Sequence, residues 1–439
     1  MTKYKIKELF NVEKGSLQSS KNVAGSYNFI TASTEWKTHE SYTHECEALI
    51  FAMGAAGSLG RTHYVNDKFI ASDLCFILTP RDEFKDRIEL KLYYHYFNFN
   101  KEEIVKATAT GTSKKAINLT NFSNHEIDYI ENQIEALAKI ETVLPSVKKL
   151  STIIDRNTFL LEKMVGNILD EATKGNIVAQ HPDDVKASVL LETIKNEKQR
   201  LVDEKVLKKE KSLPAIKESE KPLKLPVGWE WVRLGEITSL LGGYAFKSNS
   251  YVESSKNQVI RLGNVKNYNL ILDEKQVFVS DQTAEKVESF KIREGDILLT
   301  MTGTKGKRDY FYTCLVDKED TKKKNLYLNQ RVGCLRTFNS VISKYLNFIL
   351  KSNIILRTVF ERETGTANQG NLGAEAIRSV LIPLPPLEEQ RRIVAKIERL
   401  MNYCDGLTEE INNAKLDSDN IMKSVLQEVF LTQTSVEKG

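Results

Sequence analysis

The stretch that decides the fold is LIPLPPLEEQRRIVAKIERLM, Leu381 to Met401. Pro383, Pro385 and Pro386 fix φ and remove amide donors, so the chain approaches the next segment stiff and extended. Glu388 and Glu389 then put carboxylates where the positive end of a helix dipole favours them. From there apolar positions return at alternating four and three residues: Ile393, Ile397, Leu400, Cys404, Leu407, Ile411, Ala414, Ser418, Ile421 and Val425. This is the period of about 3.5 residues that marks a coiled-coil seam, with Ala414 and Ser418 as its weak positions. A helix of about 40 residues at about 1.5 Å per residue spans roughly 60 Å.

The same spacing occurs earlier, at Ile140, Leu144, Val147, Ser151, Ile154, Thr158, Leu161, Val165, Ile168 and Ala172, and the two series read position for position onto each other. Pro145 lies inside the earlier pattern and predicts a kink or a helix in two pieces. Shorter segments repeat in the same order. Lys7-Glu8-Leu9-Phe10 stands against Leu234-Gly235-Glu236-Ile237, each followed by glycine (Gly15; Gly242 and Gly243). EALIFAMGAAGSLGR (Glu47 to Arg61) stands against DILLTMTGTKGKR (Asp296 to Arg308), and ATGTSKKAINL (Ala109 to Leu119) against ETGTANQGNL (Glu363 to Leu372).

Short strands, frequent turns and few helices precede each long helix, so the fold class is α+β. The repeat predicts two α/β domains separated by two long coiled-coil helices that can pack on each other, related by a pseudo-twofold internal repeat. The expected domains are residues 1–125, a first long helix region at 126–175, a charged helix and Pro/Lys-rich connector at 176–228, a second globular domain at 229–384, and a second long helix at 385–432.

With 439 residues, 41% apolar and 28% charged, the chain is a multidomain globular protein with no stretch that reads as a membrane span. MTKYKIKELF has no apolar secretory core, so a cytoplasmic protein is expected. The net charge of +4 is nearly balanced, so a polyanion would have to be met by local patches. Cys46, Cys75, Cys314, Cys334 and Cys404 are scattered and odd in number, which fits buried free thiols better than a disulfide framework or a zinc ribbon.

Catalytic signatures are missing. Pro385-Pro386 lies between Leu384 and Leu387, whose side chains cannot hold the exocyclic amine that an amino-methyltransferase box must hold. GAAGSLG (Gly54 to Gly60) lacks the acidic residue and βαβ setting of a dinucleotide loop, and GTKGK (Gly303 to Lys307) does not meet the Walker spacing. His39, His44 and His63 with Cys46 match no standard ligand spacing, so no metal site is expected.

What remains fits recognition. A DNA-reading surface needs loops that approach closely, cations for phosphates and forked donors or acceptors for base edges. The first half offers Lys14, Ser16, Gln18, Arg61, His63, Tyr64, Lys114 and Lys115. The second offers Tyr244, Phe246, Lys247, Ser248, Lys305, Lys307, Arg308, Tyr310, Asn368 and Gln369. Clustering beside glycine loops in both halves, more than any one lysine, carries the case for such a surface.

LPVGWEWVRLGEI (Leu225 to Ile237), IPLPPLEEQRRIVAKIERLM and ILDEATKGNIVAQHPDDVKASVLLETIKNEKQRL (Ile168 to Leu201) resemble the signature stretches of type I restriction-modification specificity subunits, over nearly the whole chain. The resemblance implies two target recognition domains, each reading one half of a split DNA sequence, on antiparallel helices that set the gap. It implies a non-catalytic chain with two modification (methyltransferase) subunits as partners and restriction subunits as optional ones. S-adenosylmethionine, ATP and Mg would be used by those partners and bound by none of this chain's residues. NLTNFSNHEIDYIENQIEAL (Asn118 to Leu137) replaces the proline-rich lead-in expected in the first half. The alternatives are the recognition subunit of a related type II or methylation-only system, or a coiled-coil protein scaffold without DNA binding.

Overall fold

Ala48-Leu49-Ile50-Phe51-Ala52 is apolar at every position, as a strand covered on both faces must be. The computed structural model describes residues 2–55, 57–111, 115–338, 341–366 and 369–431, and in it this run closes a central strand. Leu49 and Phe51 face one core with Phe76 and Leu78. Ala48, Ile50 and Ala52 face another with Cys75 and Ile77. The chain divides into two units, Met1–Asn157 with Glu410–Gly439, and Thr158–Glu409.

The first unit holds strands β1 (Lys3–Lys5), β2 (Phe10–Lys14), β3 (Tyr27–Ile30), β4 (Lys37–His39), β5 (His44–Ala52), β6 (Thr62–Ala71), β7 (Cys75–Pro80), β8 (Ala109–Thr110), β9 (Ala116–Ile117) and β10 (Glu126–Asp128). Six of them form one sheet in the order β2-β7-β5-β6-β3-β4.

The second unit holds β11 (Glu230–Arg233), β12 (Thr238–Gly242), β13 (Tyr251–Val252), β14 (Asn257–Ile260), β15 (Phe278–Val279), β16 (Ile297–Thr300), β17 (Thr302–Gly303), β18 (Thr313–Leu315), β19 (Asn325–Leu328), β20 (Val332–Thr337), β21 (Thr364–Thr366), β22 (Gln369–Asn371) and β23 (Leu381–Leu384). Its main sheets run β12-β20-β16-β18 and β13-β15-β14-β19.

The repeat is structural. The order β2-β7-β5-β6 recurs as β12-β20-β16-β18, and parallel pair β3-β6 recurs as β14-β19. The difference lies in β6. One unbroken strand in the first unit, it corresponds to β18 and β19 in the second, which are parted by the helix Lys318–Lys322, and one sheet becomes two.

Both units begin with a one-turn helix, Ile6–Leu9 and Leu234–Ile237, each with a glutamate turned back onto the preceding amide. Lys5 N donates to Glu8 Oε2 at 2.7 Å and Arg233 N to Glu236 Oε2 at 2.7 Å. This equates Ile6 with Leu234, one residue away from the sequence alignment. The missing proline lead-in of the first half is also located. β10 pairs with β1 as the proline-bearing β23 pairs with β11.

The first long helix, Gln133–Lys174, is one element with Pro145 inside it, so the expected division does not occur. A mid-helix proline costs about 3 kcal/mol. Here fully buried Ile140 precedes it and buried Ile154 follows it, and their packing offsets that loss. The second long helix is Leu387–Leu431.

Matching caps fix the register of the two helices. Gln133 Oε1 accepts from Glu89 N at 2.6 Å, and Gln390 Oε1 from Ile342 N at 3.1 Å. Glu89 and Ile342 stand immediately before the helices Leu90–Phe99 and Ser343–Ile349. Gln133 is therefore the counterpart of Gln390, and buried Ala136, Leu137 and Ile140 are the counterparts of buried Ile393, Val394 and Ile397. The position-for-position reading of the two seams is off by one helical turn. A four-residue shift moves one seam row onto the other, so periodicity alone cannot set the register.

Opposite ends of the helices meet in each unit. In the first, Lys139 Nζ lies 3.4 Å from Glu428 Oε1 and Phe430 packs edge-on to Tyr96. In the second, Leu169 and Ala172 share a core with Ile393 and Ile397. Leu144, Val147, Leu161, Ile168, Leu400, Ile411 and Val425 are half-buried, as a seam requires. Leu407 and Ile421 depart from the expectation at 43% and 45% exposed, because a repeat marks a stripe without saying which of its residues find cover.

In the second unit the connector is strapped down by Arg233, which is 2% exposed. Its Nε donates to Pro214 O at 2.7 Å and its Nη2 to both Glu220 carboxylate oxygens at 3.1 Å.

Candidate nucleic-acid interface

Each unit projects an arch from the end of its central strand. In the first, Gly60 N donates to Ala52 O at 2.8 Å and Ala52 N to Arg61 O at 2.8 Å. In the second, Phe311 N donates to Thr300 O at 3.0 Å and Thr300 N to Tyr312 O at 3.0 Å. These bonds equate Gly60 with Phe311 and Arg61 with Tyr312. Counting back, three left-handed residues coincide: Ala55 (φ 73°) with Gly306 (77°), Gly57 (81°) with Arg308 (53°), and Gly60 (81°) with Phe311 (60°).

A second loop is tied to each arch at a methionine. Met53 O accepts from Ile117 N at 2.9 Å and Met301 O from Leu372 N at 3.0 Å. Thr110 pairs with Ala116 and Thr364 with Asn371, so Ile117, rather than Leu119, is the counterpart of Leu372. A third loop closes the other side, where Ser16 N donates to Ala71 O at 3.1 Å and Tyr244 N to Leu328 O at 2.8 Å. A Cβ on Gly15 or Gly243 would drive into the carbonyl oxygen of Ser72 or Asn329, so these glycines serve close backbone approach.

The second unit adds β17, which joins β22 and β21 in a three-stranded sheet, bringing the Thr302–Tyr312 and Thr364–Asn371 segments together. Glu363 Oε1 holds this junction, accepting from Tyr310 Oη at 2.7 Å and Gly306 N at 3.3 Å. A Cβ on Gly303 would meet Tyr310 Cβ at 2.7 Å, and one on Gly370 would strike Glu363 and Tyr310. The glycine-rich turns thus have a packing role. Burial, and then the Glu363 carboxylate, hold the Tyr310 phenol well above its ordinary range.

Several residues expected to face DNA are exposed on these loops: Lys14, Ser16, Gln18 and Lys115 in the first unit, and Tyr244, Lys247, Ser248, Lys305, Lys307, Arg308 and Gln369 in the second. Others are buried or already bonded to the fold's own groups, against the expectation that they face DNA. Phe246 and Tyr310 are 9% and 1% exposed, so neither ring is free for a base. Arg61 Nη1 donates to Ala32 O at 2.8 Å and Ser58 Oγ at 3.1 Å, bracing its own arch. Trp36 Nε1 donates to His63 Nδ1 at 3.2 Å, and burial pushes the His63 ring toward its neutral form. Tyr64 Oη donates to Glu47 Oε1 at 2.5 Å. Lys114 and Asn368 lie outside the described residues.

The sequence reading missed exposed Gln330 and Arg331, in the turn between the third loop and the arch of the second unit. Met301 N donates to Arg331 O at 3.3 Å, and Leu74 takes that place beside Met53 in the first unit. The signal was the position of Asn329-Gln330-Arg331 directly before a repeated strand, in a turn without the glycine that marks the other basic loops. Also missed was Lys351, fully bonded inside: its Nζ donates to Thr313 Oγ1 at 2.7 Å and to Asn347 O at 2.9 Å and Oδ1 at 2.7 Å. Burial pushes that ammonium down to about 7.

His39, His44 and Cys46 do not converge with His63. Nδ1 of His39 is 3.0 Å from Asn22 Oδ1, and His44 stacks on Phe69. Among the described residues no helix is long and apolar enough to cross a membrane.

The family described as "Type I restriction modification DNA specificity domain" matches residues 1–134 and 226–415. The chain is 32% identical over 256 residues to the type I restriction enzyme EcoAI specificity subunit of Escherichia coli, covering 56% of this chain and 41% of the relative. It is 29% identical over 260 residues to the EcoEI specificity subunit of Escherichia coli, covering 58% and 43%. The match therefore spans less than half the length of these curated relatives. A solved chain described under "Structural basis underlying complex assembly and conformational transition of the type I R-M system" aligns over 98% of this chain and 97% of its own, at 16% identity and a TM-score of 0.60, a likeness of fold.

Proposed function

The chain belongs to the type I restriction-modification DNA specificity family, and on that premise we propose that it is the non-catalytic subunit that gives a multisubunit methyltransferase its target. Each unit reads one half of a bipartite, asymmetric site in double-stranded DNA. The long helices set the gap and dock two modification subunits, which restriction subunits can join.

The observation that carries this reading is the duplicated arch with unlike side chains. One backbone frame, tied by the same bonds, presents Ser16 in one unit and Tyr244 in the other, and Gly57 in one and Arg308 in the other. A shared frame with different donors is what two readers of different half-sites need. Partner docking is supported by exposed apolar residues on the long helices: Phe159 at 54%, Leu160 at 48%, Tyr403 at 63% and Leu416 at 60%. With 42 and 45 residues, the helices are long enough to act as a ruler, about 63 and 68 Å at about 1.5 Å per residue. S-adenosylmethionine, and ATP and Mg where restriction subunits join, belong to the partners, and the complex works in the cytoplasm.

The test is a methylome. The full chain is co-expressed with its modification subunit in a methylation-free host, and the genome is read for N6-methyladenine. One split motif, methylated only when this chain is present, is the expected result. A soluble complex of the two proteins that adds no methylation would sink the reading and favour a scaffold without DNA binding.

A further inference from the structure

At Arg308 the backbone of the second arch is left-handed, φ 53°. Any residue with a Cβ is disfavoured there, and glycine is the usual occupant. The first unit's arch, three residues shorter between the tied residues, places Gly57 at the matching left-handed point counted back from the closing end, φ 81°, so that turn has no need of an arginine. The Arg308 side chain makes a cation–π approach, which at an exposed site offsets only about half of the left-handed cost. Among the described residues its guanidinium makes no hydrogen bond or ion pair, and the Phe360 ring lies 5.6 Å away.

Arg308 and exposed Arg357 border a cavity of about 470 Å³ whose wall includes Tyr310, Phe360 and Asn353 and no aspartate or glutamate. Lys351 also reaches the cavity, but Thr313 and Asn347 occupy its three donors. The free cationic donors here belong to the two arginines, and the Asn267 amide and Tyr312 hydroxyl line the same wall. Backbone strain that no internal contact requires marks a position kept for an external one.

We propose that Arg308 is a specificity-determining contact of the second unit, presenting its guanidinium fork to a two-acceptor base edge in that unit's half-site, while Gly57 leaves the first unit without an equivalent reader. The inference rests on the DNA-reading function proposed above. Flexible Lys305 and Lys307 can meet phosphates without backbone strain. A planar fork set over a ring suits paired acceptors such as guanine presents.

The test compares the full parent chain with Arg308→Gly and Arg308→Lys, each purified for melting and each co-expressed with the modification subunit for a methylome. Arg308→Gly should melt at or above the parent temperature, because it relieves the left-handed strain; a clear drop would mean that the arginine holds the fold, and would overturn the proposal. Both variants should lose about tenfold or more discrimination at one base position of one half-site, with the other half unchanged. Lysine keeps the charge and lacks the fork. A parent-like motif with lysine, a uniform fall in methylation with no relaxed position, or relaxation in both halves would each overturn the base-edge assignment. A split motif for the parent that persists unaltered in Arg308→Gly removes this inference alone. No split motif for the parent removes the DNA-reading function and this inference with it.

Discussion

The first unit keeps β6 as a single strand of ten residues and carries glycine at two of the three left-handed points of its arch. The second interrupts the equivalent strand, inserts β17 beside the arch, and places Arg308 and Phe311 where the first has Gly57 and Gly60. Both keep the same sheet order, the same backbone bonds at the arch and the same glutamine caps on their long helices. The frame, then, is what the two units share, and the surface loops are where they differ. Units built this way can vary their exposed loops without changing how they pack.

The largest expected effect tests whether the frame is truly shared. Ile140 and Ile397 are both 0% exposed and occupy matching places at the start of the long helices. Ile140→Ala and Ile397→Ala should each destabilise by about 2–5 kcal/mol, read by denaturant unfolding of the full chain. A loss at one position with little at the other would break the proposed register. If Ile393, not Ile397, were the true counterpart, Ile393→Ala would match Ile140→Ala more closely.

The caps offer a finer contrast. Gln390 also donates its Nε2 to Pro385 O at 3.1 Å, while Gln133 Nε2 has no partner among the described residues. Gln390→Ala should therefore cost about 1–3 kcal/mol, and Gln133→Ala less, because it also removes a buried unpaired amide. Equal losses would mean that the second bond of Gln390 contributes nothing.

Lys351 belongs to the second unit alone, since its partner Thr313 corresponds to Thr62, whose Oγ1 is left without a partner. Its folded pKa of about 7 lies below the ordinary value of an unfolded lysine. Between these values the unfolded chain holds the proton that the folded chain has released. Unfolding free energy should thus rise with pH from about 7 upward, by at most about 1.4 kcal/mol per pH unit. Lys351→Met should flatten that rise, measured as the difference between parent and variant melts from pH 7 to 9. Parallel curves would show that the ammonium titrates normally.

The sequence announced the repeat, the long helices and the loops that lie together, because periodicity and glycine placement are local signals. It misplaced the short opening helix by one residue and the helix register by a turn, the latter because a four-residue shift moves one apolar row of the seam onto the other. Only long-range bonds such as Gln133 to Glu89 break that degeneracy. At the candidate interface the exposed lysines were legible from type and neighbourhood. Tyr310 and Phe246 were not, since an aromatic beside a glycine loop looks the same in sequence whether it faces solvent or a core. Nor was the strain at Arg308, which became visible only once Gly57 was found at the same point of a second arch.

The smallest expected effect sharpens that last comparison within the first unit. Gly57 and Gly60 share φ 81°, yet their surroundings differ. A Cβ at Gly57 meets nothing within 4 Å, whereas one at Gly60 would lie 2.6 Å from Val105 Cγ2 and 2.9 Å from Lys101 Cγ. Gly57→Ala should then carry the backbone penalty alone, about 1 kcal/mol, and Gly60→Ala that penalty with a steric one added. Denaturant midpoints of the two variants separate the contributions. If Gly57→Ala proves as costly as Gly60→Ala, the site is not open in solution, and the space that Arg308 occupies in the sister arch would have no open counterpart in the first unit. If it costs the backbone term only, that point of the arch tolerates any side chain at a fixed, modest penalty, and an arginine there has to be explained by what it touches.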